Sequence, residues 1–150
     1  MSAAEGTTYP PMLPFVPFAG RTWRGVGPES VDFARWEFIL GGRALQITHR
    51  IEGSDYGGRS IVFFDERASA YVVHYFTTAG FRTLGALEVK DSVIEVIEEV
   101  SGHATISRVR SRSALDDRRM VTRADYLKDG AWVAGHSFIY DEAPDAAVGY

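Results

Sequence analysis

Two histidines in strand-like segments are the first candidates for chemistry in this 150-residue sequence. His49 and His74 each lie in a short run in which apolar and polar residues alternate, as in half-buried strands. If two-residue turns close both hairpins, His49 lies opposite Ala34 and His74 opposite Gly85, on inward faces. Such histidines predict polar anchors in a ligand cavity, or a general acid and base. The alternative is core histidines bonded to neighbouring hydroxyl or carbonyl groups.

A row of charged side chains is the second candidate site. Two-residue turns between the last four strands would align Glu95, Arg110, Arg123 and His136 across one face. One interpretation is an exposed charge ladder, although Arg110 directly opposite Arg123 would destabilise the sheet. The other is a binding site for an anion or a carboxylate, either inside the β-barrel that is predicted below or on its outer surface.

Three aromatic residues, Trp132, Phe138 and Tyr140, share the face of this row. If the face is external, these apolar side chains would be exposed to solvent, and a homodimer interface would bury them. The opposite face, which includes Tyr126, is apolar and poor in bulk, so it is the predicted interior and leaves room for a guest.

The aromatic residues of the earlier strands provide a further candidate wall for a ligand, although such residues are more often plain core. No catalytic residue, metal site or catalytic triad is predicted, because no HxH, HExxH or GxSxG spacing occurs. The candidate ligand-binding residues are Trp36, Phe38, His49, His74, Phe76, Tyr126, Arg110, Arg123 and His136.

Composition excludes several classes of protein. The absence of cysteine excludes a disulfide scaffold, an iron–sulfur cluster and a cysteine zinc site. A net charge of −4 argues against a nucleic-acid partner. The six arginines between Arg108 and Arg123 face a strand region with five acidic residues, so cross-strand pairing explains them better than nucleic acid.

The elements that must position these residues are ten predicted strands and no long helix. Breaks rich in Gly and Asp separate segments that are rich in β-branched and aromatic residues. The predicted strands are 21–26, 31–40, 43–52, 58–65, 70–78, 81–90, 92–100, 104–115, 118–128 and 131–141. This pattern predicts an all-β antiparallel barrel, with a two-sheet sandwich as the alternative.

The chain is predicted to be a single domain over 1–150, with a barrel over about 18–141. The Pro-rich segment 1–17 is expected to form an arm that closes one end, and residues 145–150 to form a loose tail. No apolar run is long enough for a membrane span and the start lacks the pattern of a signal peptide, so the expected location is the cytoplasm.

Several segments resemble known proteins. FAGRTWRGVG, with a Trp in a Gly-flanked first strand after a Pro-rich arm, resembles the opening of calycin-like barrels such as nitrobindin. RWEFILGGRALQITHRIEG, YFTTAGFRTLG and YLKDGAWVAGH resemble a bacterial group of calycin-like domains of unknown function, and the resemblance covers residues 15–141. Fatty-acid-binding proteins share the strand count. The resemblance implies a lipocalin-like or fatty-acid-binding-like barrel with a cavity for a small apolar ligand.

The likeness to nitrobindin also implies haem, held by a histidine on the final strand, and His136 matches that position. A simple hairpin register at Asp129-Gly130 places His136 on the outer face.

The leading functional hypothesis is a protein that binds a small, mostly apolar molecule inside the barrel, with an anionic head as one option. This hypothesis requires no cofactor. The alternatives are a haem-binding barrel, an enzyme with an interior histidine as general acid or base, and an interaction scaffold with a solidly packed barrel.

Overall fold

The computed structural model describes residues 5–149 and contains ten strands. They are β1 Arg21–Val26, β2 Val31–Ile39, β3 Ala44–Ile51, β4 Gly57–Asp65, β5 Ala70–Thr77, β6 Arg82–Lys90, β7 Val93–Ser101, β8 Ile106–Leu115, β9 Arg119–Lys128 and β10 Ala131–Glu142. Each strand pairs antiparallel with its neighbours in sequence, and β1 pairs with β10 to close the barrel. The predicted all-β barrel is confirmed, in place of the two-sheet sandwich.

The period-two pattern of the sequence determines which side chains enter the barrel. In β2, Asp32, Ala34, Trp36 and Phe38 are buried, whereas the residues between them are partly or fully exposed. Alternate side chains of a strand point to opposite faces, so one face of β2 supplies the interior. Asp32 is the only charged residue of the β2 inner face.

The Pro-rich arm packs against one end of the barrel. Pro10–Phe15 forms a short 3-10 helix, and Phe15 and Phe18 are fully buried. The hydroxyl of Tyr71 donates a hydrogen bond to the carbonyl of Pro11 at 2.6 Å. Phe18 stacks on the Trp36 ring with 5.3 Å between centroids. We call this the plugged end. Residues 1–4 of the predicted arm lie outside the described residues.

The opposite end of the barrel is formed by the connections after β1, β3, β5, β7 and β9. Four of these connections, 27–30, 52–56, 78–81 and 102–105, are longer than two residues and form a rim, which we call the open end. β10 runs from the open end to the plugged end, where Ala143 N–H bonds the carbonyl of Thr22. Residues 145–149 of the predicted tail have no regular secondary structure, and Tyr150 is not described. No helix within residues 5–149 has the length and apolar character to cross a membrane.

The predicted register of the β2–β3 hairpin is confirmed. Trp36 pairs with Ile47 and Ala34 with His49. The predicted β5–β6 register is wrong by one residue, because an odd number of residues, 77–81, separates the last pair, Phe76 and Arg82, in place of the two-residue turn. His74 pairs with Leu84 instead of Gly85. A shift of one residue exchanges the two faces of a strand, so Tyr75 enters the barrel and His74 does not.

Candidate functional site

The barrel encloses a cavity of about 620 Å³. The expected alternative of a solidly packed barrel is therefore wrong. Near the open end the cavity is lined by polar and aromatic side chains, which include Asp32, His49, Tyr56, Tyr75, Phe81, Glu98, Tyr126 and His136. Toward the plugged end the lining is apolar and includes Phe15, Trp36, Leu45, Leu87, Ile94 and Met120. A cavity with one polar and one apolar end suits a guest with the same division.

A chain of hydrogen bonds crosses the polar end. His49 Nδ1 lies 2.9 Å from Asp32 Oδ1, and His49 Nε2 lies 2.6 Å from the Tyr75 hydroxyl. The Tyr75 and Tyr56 hydroxyl oxygens are 3.1 Å apart. The Tyr140 hydroxyl donates to the other carboxylate oxygen of Asp32 at 2.6 Å. Asp32, which is 3% exposed, therefore fixes the orientation of His49 while its own oxygens are satisfied.

A β-bulge brings His136 into the cavity. The β9–β10 register follows the expected two-residue turn up to Ala134 and then shifts by one residue before Ser137. As a result His136 lines the cavity, with Nδ1 2.6 Å from the Tyr126 hydroxyl. A Cβ at Gly135 would lie 2.6 Å from the Tyr126 ring, so glycine makes room for Tyr126. The expected outer placement of His136 is wrong, because the bulge inserts a residue into the strand.

Glu98 on β7 is the second acidic side chain of the cavity. Its carboxyl group accepts a hydrogen bond from the Thr83 hydroxyl. Burial raises the pKa of Glu98, and the bond from Thr83 opposes this in part. The cross-strand partner of Glu98 is Gly85, where a Cβ would lie 2.8 Å from the Glu98 side chain. The glycine thus allows the close approach of the Ile97 carbonyl and of the Glu98 side-chain stem.

Burial also shifts the pKa values of the interior rings. It lowers the pKa of His136, and the neighbouring His49 adds to the effect. It raises the pKa values of the Tyr56 and Tyr126 hydroxyls. The pKa of Tyr140 is raised well above its usual value, by burial and then by the charge of Asp32. These shifts favour a neutral imidazole at His136 and protonated hydroxyls that can donate hydrogen bonds.

Among the nine predicted site residues, four line the cavity: Trp36, His49, Tyr126 and His136. Phe38 is 5% exposed and belongs to the hydrophobic core beside the cavity. His74, Phe76, Arg110 and Arg123 do not line it. The inward placement of His74 and Phe76 is wrong because of the β5–β6 register, and Phe76 is 55% exposed.

The predicted charged row is not present as such. Glu95 pairs with Arg112 rather than Arg110, because residues 102–105 connect β7 to β8. Arg110 pairs with Asp125, with an Nε–Oδ2 distance of 3.0 Å, and Arg123 pairs with Arg112. The expected contact of Arg110 with Arg123 is wrong for the same reason, a longer turn between β8 and β9.

The arginines lie on the outside of the barrel. A surface groove there contains Arg110, Arg112 and Arg123 together with Glu88, Glu95 and Asp125. Equal numbers of basic and acidic groups give no net attraction for an anion, so the exposed charge ladder is the better interpretation. Trp132 packs on this face with the Arg110 guanidinium 4.2 Å from its ring centroid.

Two of the three aromatic residues that were expected on an exposed face are buried. Phe138 and Tyr140 are 8% and 6% exposed and lie inside the barrel, because the bulge shifts the end of β10. Phe138 and Tyr140 therefore do not require burial at a subunit interface. The homodimer stays a prediction.

Sequence reasoning missed Asp32, Tyr75, Glu98 and Tyr140 as cavity residues. Asp32 could have been found, because it continues the inward alternation of Ala34 and Trp36. Tyr75 was missed because the predicted β5–β6 register was wrong by one residue. Tyr140 was missed because the bulge in β10 was not predicted.

No group of three metal-ligating His, Asp or Glu side chains occurs within residues 5–149. A cofactor that needs one imidazole ligand is a different case, since His136 lines the cavity with one ring nitrogen held by Tyr126.

No protein-family model and no curated protein matches this chain. Among solved structures, the crystal structure of Rv2717c from M. tuberculosis is similar to it, with a TM-score of 0.71 and 12% sequence identity. The match covers 91% of this chain and 99% of that chain. At this identity the likeness shows the fold alone, and it extends over almost the whole length of both chains.

Proposed function

We propose that the protein binds a small organic molecule inside the barrel. The observation that carries this proposal is the cavity of about 620 Å³, which is polar near the open end and apolar toward the plug. Buried pockets of this size, lined by apolar walls and a few placed polar groups, are typical of small-molecule sites. The apolar body of the ligand lies along Trp36, Leu87 and Ile94, and its polar group lies among the hydroxyl and carboxyl groups.

The polar end is prepared for a ligand before the ligand arrives. Asp32 fixes His49, and the raised pKa values of Tyr56 and Tyr126 keep their hydroxyls protonated. Groups that are already oriented lose less conformational entropy when a ligand binds. This organisation supports binding of a molecule with a hydrogen-bonding group.

Native mass spectrometry of protein purified gently from its own host tests the proposal. We expect a stoichiometric adduct, whose mass is then measured after denaturing extraction. A Val96→Trp variant fills the cavity, since Val96 lines it, and should lose the adduct. Glu95→Trp, on the outer face of the same strand, is the matched control and should keep it. An adduct that persists equally in both folded variants would place the ligand elsewhere and refute the proposal.

A second candidate function is haem binding, which the resemblance to nitrobindin implied. The favouring observation is the inward position of His136 with Nδ1 at the Tyr126 hydroxyl. When Nδ1–H donates to that oxygen, Nε2 carries the lone pair that iron requires, and a held second nitrogen is the usual arrangement in metal-ligating histidines. The lowered pKa of His136 favours the same neutral form. No Lys or Arg is among the described residues that line the cavity, so the haem propionates would have to lie at the open end. Bound haem would supply iron chemistry toward small gaseous or peroxide ligands.

A haemin titration followed in the Soret region tests this candidate. The wild-type protein should give a saturable Soret shift at one equivalent. His136→Ala should lose the shift, whereas His49→Ala and His103→Ala, which remove the other two histidines that line the cavity, should each retain it. Equal spectra for wild type and His136→Ala would exclude His136 as the ligand.

A further inference from the structure

We infer that the polar end of the cavity recognises a cationic amine, of the substituted-ammonium class, held by the rings of Tyr56, Tyr75 and Phe81 and by the carboxyl group of Glu98. The inference rests on the proposed function and specifies the chemical class of the ligand's polar group. It replaces the anionic head that the sequence suggested.

Three aromatic rings converge at the open end. The Tyr56 and Phe81 rings stack with centroids 6.5 Å apart, and the Tyr75 and Phe81 rings meet edge to face at 6.3 Å. All three residues line the cavity. The faces of aromatic rings attract cations, and cages of two or three rings are the recurrent solution for substituted ammonium groups. The ring arrangement therefore favours a cation of this type.

The charges of the cavity lining point in the same direction. Asp32 and Glu98 are its carboxyl groups, and no Lys or Arg occurs among the described lining residues. Burial lowers the pKa of His136, which favours the neutral imidazole. A cavity whose described lining carries two carboxyl groups and no Lys or Arg favours an ammonium group over a carboxylate.

Glu98 is the acidic group that is placed to pair with a ligand. Both carboxylate oxygens of Asp32 are already bonded, to His49 and to Tyr140. Glu98 accepts a hydrogen bond from Thr83, and Thr83 is the cross-strand partner of Tyr75, so the Glu98 carboxyl group lies beside the ring cluster. An ammonium group between the rings and Glu98 would compensate the carboxylate that burial disfavours.

Competition against the neutral dye Nile red tests this inference. The probes are benzyltrimethylammonium, its uncharged carbon isostere neopentylbenzene, and 3-phenylpropanoate as the anion. We expect benzyltrimethylammonium to displace the dye at a concentration about tenfold lower than neopentylbenzene, the preference expected for a desolvated cation–aromatic contact. The anion should be the weakest competitor.

Two variants identify the groups responsible. Glu98→Gln should remove most of the roughly tenfold preference for the cation and leave neopentylbenzene unchanged. Glu95→Gln, on the outer face of β7, is the matched control and should behave as wild type. If Glu98→Gln does not fold, Phe81→Leu removes one ring and should reduce the preference in the same sense.

The outcomes separate this inference from the proposed function. If Nile red binds and the three probes compete equally, or the anion competes best, the cation inference is wrong while the ligand-binding barrel stands. If neither the dye nor any probe binds, the proposed function fails, and this inference fails with it.

Discussion

The hydrogen bond between Tyr140 and Asp32 gives the sharpest test of the interior network. Tyr140→Phe removes one hydroxyl from a site in which Tyr140 is 6% exposed and leaves the ring in place. The hydroxyl donates to a carboxylate at 2.6 Å, and bonds to charged groups contribute about 1.5–3 kcal/mol to stability. We therefore expect the free energy of unfolding to fall by about 2 kcal/mol, which lowers the Tm of a chain of this size by roughly 4–8 °C.

Urea unfolding followed by far-UV circular dichroism measures this loss. Tyr126→Phe is the matched comparison, because its hydroxyl bonds the neutral imidazole of His136 and should contribute only about 0.5–1.5 kcal/mol. A double-mutant cycle with Asp32→Ala isolates the contact, since Tyr140→Phe should cost little once its acceptor is absent.

The expected contribution of the Tyr140–Asp32 hydrogen bond is refuted if Tyr140→Phe destabilises the protein no more than Tyr126→Phe does. It is also refuted if the loss caused by Tyr140→Phe is the same in the Asp32→Ala background. Either result would mean that Asp32 obtains its stabilisation from other groups.

Three further predictions concern the glycine, the acid and the plug. Gly135→Ala should lower the free energy of unfolding by about 1–3 kcal/mol through overpacking, because the new Cβ meets the Tyr126 ring. Adding Tyr126→Leu to this variant should recover part of the loss, as measured by chemical denaturation. Because the folded state raises the pKa of Glu98 above 4.5, the stability it contributes is present below that pH and is lost as the pH rises. Glu98→Gln should therefore gain stability relative to wild type between pH 4.5 and neutrality, and parallel pH profiles would contradict this. Phe15→Ala should lower the free energy of unfolding by about 3–5 kcal/mol, because Phe15 is fully buried at the plugged end. The same variant should speed the exchange of a bound dye. An unchanged melting temperature would contradict a stabilising role of the plug.

The sequence predicts the barrel well, because period-two alternation and turn residues are local signals. The β2–β3 hairpin illustrates this: the expected pairing of Trp36 with Ile47 is the observed one. The predicted β5–β6 pairing is wrong by one residue, because the turn length was wrong. This shift places Tyr75 instead of His74 inside the barrel. Turn length depends on backbone geometry that the composition of the turn does not determine.

The bulge in β10 is harder to predict than a turn. Its one local signal is Gly135, an isolated glycine within a strand. The reason for the glycine lies on another strand, in the ring of Tyr126, and such a long-range contact leaves no local pattern. The inward positions of His136 and Tyr140 therefore depend on a β9–β10 pairing that the sequence of β10 alone does not specify.

The arm and the last strand both leave the barrel at the plugged end. Thr7 bonds the carbonyl of Gly42 in the β2–β3 connection, and Ala143 bonds Thr22 at the start of β1. Any segment attached before the arm or after β10 is therefore joined to the side of the barrel away from the open rim. A fusion partner or a surface tether at either terminus would leave that rim facing free solution, which makes both termini suitable for immobilised ligand capture.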